Sequence, residues 1–140
     1  MKVLFDTNVV VDLLANREPF VHDARALFAA VERGIIVGCL CGTTVTTVHY
    51  LLAKHIGHAA ARLQVGKLLT LFEVVPVNRA TLHNALERPL SDFEDAVLFE
   101  AAVQAGAHCL VTRNGRDFAD AKSSQVRIMA PAELAAGLVT

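Results

Sequence analysis

The chain is 140 residues long, 54% apolar and 19% charged, a size and balance that suit a single domain over residues 1–140. Its 13 Lys and Arg against 14 Asp and Glu give a formal charge of −1, which excludes strong long-range attraction to nucleic acid, so any polyanion site must be local. The three cysteines are odd in number and no basic, apolar leader opens the chain, which points to a cytoplasmic protein without disulfides. Mean hydropathy is +0.43, yet no apolar run approaches the roughly 18 residues of a membrane span, so the excess is assigned to a core or to a subunit interface such as a homodimer's.

Lys2 to Phe5 read as a short buried strand, with Asp6 at its carboxyl end. Asp6-Thr7-Asn8 supply polar groups that can cap a helical turn over Val9 to Leu14. Arg17-Glu18-Pro19 breaks the pattern, and a helix from Val21 to Arg33 follows through Ala24, Leu27, Phe28 and Val31, stopped by Gly34. Ile35 to Leu40 read as a second strand. Thr43 and Thr44 can cap a third helix whose apolar stripe is Val45, Val48, Leu52 and Ile56, and Gly57 separates it from a helix over His58 to Leu71. Phe72 to Val77 read as a strand that Pro76 confines to an edge or an end, and Thr81 to Leu86 as helix.

Ser91 or Asp92 is placed to cap a helix whose body runs from Ala96 to about Ala105, with Gly106 beyond it. Cys109 to Thr112 read as a buried strand, Asn114-Gly115 as a turn, Val126 to Met129 as a last strand and Pro131 to Ala136 as a last helix. Strands alternating with helices predict a three-layer α/β/α sandwich on a mostly parallel sheet. In such sheets ligands bind beyond the carboxyl ends of the strands, where Asp6 and the segment after Thr112 belong.

Aspartates from distant parts of the chain are therefore candidates for one pocket: Asp6, Asp92 with Asp95, and Asp117. Two unit charges about 4 Å apart repel by about 4 kcal/mol at an effective dielectric near 20, so a carboxylate cluster calls for a cation. Magnesium takes one or two protein carboxylates, keeps waters and accepts phosphate oxygens; with a second ion it can drive in-line hydrolysis of a phosphodiester without a protein nucleophile. Each acid also has a plainer reading: Asp6 and Asp92 as helix caps, Asp117 as a solvated loop charge. Asp95 is the hardest to explain that way, because the cap is already filled by Ser91 or Asp92.

Asp6-Thr7-Asn8 after the first strand, Asp92-Phe93-Glu94-Asp95-Ala96, and Thr112-Arg113-Asn114 followed by Asp117-Phe118 together resemble the PIN domain, in order along nearly the whole chain. That resemblance implies a metal-dependent ribonuclease using Mg2+ or Mn2+. Many small bacterial members are VapC-like toxins held by a cognate antitoxin. It implies Asp6 and Asp95 as metal ligands, Asp117 or Asn114 as the later acid and Asp92 as an auxiliary acid. Two positions depart from the pattern: Thr47 stands where the third helix usually carries Glu, and Asn114 is neutral where an acid is frequent.

Arg113, Arg116 and Lys122 flank the late acidic position and can grip RNA phosphates, with Thr112 beside them. Cys39-x-Cys41 has the wrong spacing for a zinc knuckle and reads as strand packing; His55-x-x-His58 lacks further ligands, and His49 reads as a packed helix residue. The rival to a nuclease is a PIN-like binding module with weakened metal affinity, which Thr47 and Asn114 favour. A receiver or aspartate-nucleophile phosphatase also places Asp after its first strand, but Asn8 occupies the position of the phosphatase's second Asp.

Overall fold

The computed structural model describes residues 1–121 and 125–138. Strands β1 (Lys2–Phe5), β2 (Val37–Cys41), β3 (Glu73–Val75), β4 (Cys109–Val111) and β5 (Arg127–Met129) form one five-stranded sheet in the order β3, β2, β1, β4, β5. Every pairing is parallel, with Val3 opposite both Gly38 and Cys109. The helices are α1 (Thr7–Leu14), α2 (Val21–Glu32), α3 (Gly42–Ile56), α4 (His58–Leu71), α5 (Arg79–Leu86), α6 (Phe93–Gln104) and α7 (Pro131–Leu138), with a short 3₁₀ turn at Gly115–Phe118.

Side chains alternate across a strand, and that period divides the core into the two halves of an α/β/α sandwich. Val3, Phe5, Leu40, Cys109 and Val111 face the layer built from α1, α2, α3, α4 and α7. Leu4, Cys39, Cys41 and Leu110 face the opposite layer, where α5 and α6 pack. On the first side Phe5, Phe28 and Phe72 meet edge to face, with ring centroids 5.1–5.7 Å apart. Gly38 lets the Phe72 ring close on the sheet: a Cβ there would lie 2.6 Å from the ring.

The element order is as expected, and the differences lie at the ends. Helix α1 begins at Thr7, directly after Asp6, and α6 at Phe93, where the Asp92 side chain caps it. Thr43 and Thr44 do not cap α3: Cys41 holds that position, Thr43 gives its carbonyl to the Thr46 and Thr47 hydroxyls at 3.0 Å, and Thr44 bonds Thr7 at 3.1 Å. Helix α5 starts earlier than expected, at Arg79, on a capping box between Asn78 and Thr81. Pro76 lies outside β3, which is an edge strand of only three residues. Gly34 and Gly106 stop α2 and α6 at φ +72° and +67°, a backbone region that a side chain disfavours. The three cysteines are buried and free, and burial raises the Cys39 thiol and pushes that of Cys109 up to about 12. Among the described residues no helix is long and apolar enough to cross a membrane.

Candidate active site

The chain runs from β1 outward through β2 to β3, then returns to the other side of β1 as β4. Ligand crevices in open parallel sheets form at such reversals, and Asp6 and Thr112 stand there, at the carboxyl ends of the adjacent strands β1 and β4. The Asp6 amide extends the ladder to the Val111 carbonyl at 2.9 Å, and Thr112 does the same to Met129. Both are buried, at 6% and 1% exposure.

Asp6 occupies the cap position of α1, yet its carboxylate makes no capping bond to that helix. It accepts a hydrogen bond from the Thr112 hydroxyl at 2.6 Å and a longer one from the Asn8 amide at 3.4 Å, both on Oδ2. The Thr112 oxygen accepts in turn from the Asn114 amide at 3.0 Å. Burial drives the Asp6 carboxyl above its ordinary range, Thr112 and the Thr7 amide act against that, and the charges of Glu94 and Asp117 add to it.

The second arm is the start of α6. Asp92 is its cap, its carboxylate accepting from the Asp95 amide at 3.1 Å. Asp95 lies in the first helical turn, and its carboxyl is raised to about 7, first by burial, then by the charges of Asp92, Asp6, Asp117 and Glu94. The third arm is the 3₁₀ turn after β4, which carries Arg116 and Asp117, both exposed. Asp6, Asp92, Asp95 and Asp117 therefore share one electrostatic field although they come from three separate stretches of chain. Glu94 joins them, although in the sequence it reads as an ordinary first-turn acid complementing the helix dipole.

Arg113 behaves differently from its expected role as a phosphate contact. Its guanidinium forks onto Asp12, from Nε to Oδ2 and from Nη2 to Oδ1, and lies 3.9 Å from the centre of the Phe20 ring. Asn114 is exposed and makes its contact through the main chain. Lys122 lies outside the described residues. Thr47 is tied to its own helix, and His49 keeps a buried Nε2 without a hydrogen-bond partner, its ring 5.8 Å from that of His58. A cavity of about 560 Å3 between α3 and α4, lined by Val45, His49, His58 and Leu69 among others, contains none of the acids.

The family model for the PIN domain matches residues 2–116, from β1 into the 3₁₀ turn. The chain belongs to the PIN-domain family. Asp117 stands one residue beyond that match. No curated protein matches in sequence. Among solved structures this PIN domain is similar to VapBC2 from Rickettsia felis bound to a DNA fragment from its promoter, at TM-score 0.67 and 13% identity over 93% of this chain and 98% of that one. A toxin–antitoxin complex from Klebsiella pneumoniae matches at TM-score 0.67 and 22% identity, over 92% and 97%. VapC20 from Mycobacterium tuberculosis, a toxin that cleaves the sarcin–ricin loop, matches at 0.62 and 19%, over 77% and 86%.

The acids of this PIN domain suit a hard divalent cation, because they are all oxygen donors and because burial first, and then their mutual repulsion, raises Asp95. Among the described residues no group of three or more His, Cys, Asp or Glu is arranged to hold a metal ion. Magnesium needs only one or two protein carboxylates and completes its shell with water and substrate oxygens.

Proposed function

We propose that this PIN domain is a divalent-metal-dependent endoribonuclease, restrained in its host by a small antitoxin. The observation that carries the reading is Asp95, a carboxyl raised to about 7 first by burial and then by the charges of Asp92, Asp6 and Asp117. Asp6 and Asp95 would hold Mg2+ or Mn2+, which when bound supplies a hydroxide near neutral pH and offsets charge building on the phosphate. Thr112 holds Asp6 through one oxygen, so the carboxylate keeps a fixed direction. Glu94, Asp92 and Asp117 surround the site with negative charge and repel a phosphate diester until that charge is neutralised. Exposed Arg116, on the same turn as Asp117, would meet a backbone phosphate.

The test is cleavage of single-stranded RNA with magnesium, manganese or chelator, in the wild type and in Asp95→Asn. Metal-dependent cleavage that Asp95→Asn abolishes while remaining folded is the expected result. Cleavage unaffected by chelator, or retained by Asp95→Asn, would sink the reading.

Thr47 favours a second reading. Its hydroxyl is committed to the Thr43 carbonyl at 3.0 Å, so α3 brings no charge to the site, as in a module that binds partners without hydrolysing RNA. Exposed Tyr50, Ile56, Leu63 and Leu69 on α3 and α4 supply apolar surface for an antitoxin or a second copy of the chain. Assay of the free chain beside the chain together with a small protein that copurifies from its host separates the two: a copurifying protein that suppresses cleavage supports a restrained enzyme, whereas binding with no cleavage by the free chain supports the module.

A further inference from the structure

Asp12 sits inside α1 with 1% of its side chain exposed, and the fork of Arg113 reaches it across 101 residues of sequence. A buried ion pair is a poor device for stability, since apolar residues of the same size do as well. What it supplies is direction, because a planar guanidinium bound at two points fixes the path of its own backbone. Here the hold has further points. Phe20 lies against the guanidinium face at 3.9 Å, and Asn8, one turn before Asp12 on α1, receives the Arg113 main-chain N–H at 3.5 Å. Arg17 adds a weaker contact to Asp12 at 3.8 Å.

The residues on either side of Arg113 give this hold its consequence. Thr112 donates to Asp6, Asn114 donates its amide to Thr112, and the 3₁₀ turn that begins at Gly115 carries Asp117. We propose that Asp12 and Arg113 are positioning residues, a clamp from α1 that sets the segment after β4 so that Thr112 and Asp117 stand at fixed places beside Asp6. The inference rests on the metal-site reading above, but its structural half can be tested without it.

The decisive variant replaces both partners, Asp12→Leu with Arg113→Met, so that no unpaired charge remains buried. It should keep the wild-type circular dichroism. Amide exchange over residues 113–118 should quicken at least tenfold, and manganese affinity, read by the ion's paramagnetic resonance, should fall about tenfold, as for other groups that orient metal ligands. Wild-type exchange and affinity in the folded double variant would overturn the proposal. Should that variant not fold, Arg113→Lys takes its place, keeping the charge paired while losing the fork: faster exchange supports the clamp and unchanged exchange overturns it. A wild-type chain that binds no manganese would count against the metal reading, and exchange alone would then decide the clamp.

Discussion

Asp95 titrates near neutrality, which makes its charge state an observable. In the folded chain it holds a proton from about pH 4 up to about 7, whereas in the unfolded chain it has released that proton; the native state binds more protons in this window, so stability falls as pH rises through it. The melting temperature of metal-free protein is therefore expected to drop between pH 5 and pH 8. Manganese should stabilise more strongly across the same interval, because it competes with the proton for the carboxylate. Asp95→Asn should flatten both trends, and thermal melts at several pH values with and without metal check them. Thr112→Val removes a donor to Asp6; a hydrogen bond to a charged group contributes about 1.5–3 kcal/mol, and a loss of that order is expected in urea unfolding at pH 8.

Residues of this kind differ in how far the sequence discloses them. Asp6 and Asp95 stand out in the sequence as candidates, one at a strand's carboxyl end and one beyond a filled cap, although Asp6 also reads there as a cap. Asp92 carried two readings in the sequence, and the structure makes it the cap while leaving it in the field of Asp95. Asp12 could not be read at all, since its meaning comes from an arginine 101 residues away. Arg113 misleads for the same reason: in sequence it flanks acids like a phosphate contact, and only the fold supplies its carboxylate.

At the scale of elements, hydrophobic period and glycine stops locate the strands and helices, while the caps fix their first residues less visibly. Asn78 shows why: its side chain accepts from the Thr81 amide at 3.0 Å, a local bond that no apolar pattern reports. Asn78→Ala should cost about 1 kcal/mol, read by urea unfolding. The packing of β2 against the aromatic cluster depends on having nothing at one position. Gly38→Ala puts a methyl 2.6 Å from the Phe72 ring, and about 1–3 kcal/mol of destabilisation is expected in the same measurement. A stability equal to wild type would mean that the ring moves aside at no cost.

For the whole molecule, the parallel sheet and its two helical layers were readable from alternation, but the strand order was not. Nothing local to Cys109–Val111 says that it lies beside β1 and not beyond β3, yet that choice brings Thr112 to Asp6. A ligand that binds only the folded chain stabilises it by about 2.7 kcal/mol at a hundredfold excess over its dissociation constant, so saturating manganese should raise the melting temperature by several degrees. An unchanged transition at millimolar metal would count against ligation by these acids.

The join between β1 and β4 also bears on how such a chain is made. Asp6 leaves the ribosome 106 residues before the hydroxyl that holds it, and the turn carrying Asp117 follows later still. A nascent chain halted before Thr112 carries that carboxylate without its holder, so Asp6 gains its hydrogen-bond partner only once β4 has been made and has paired with β1.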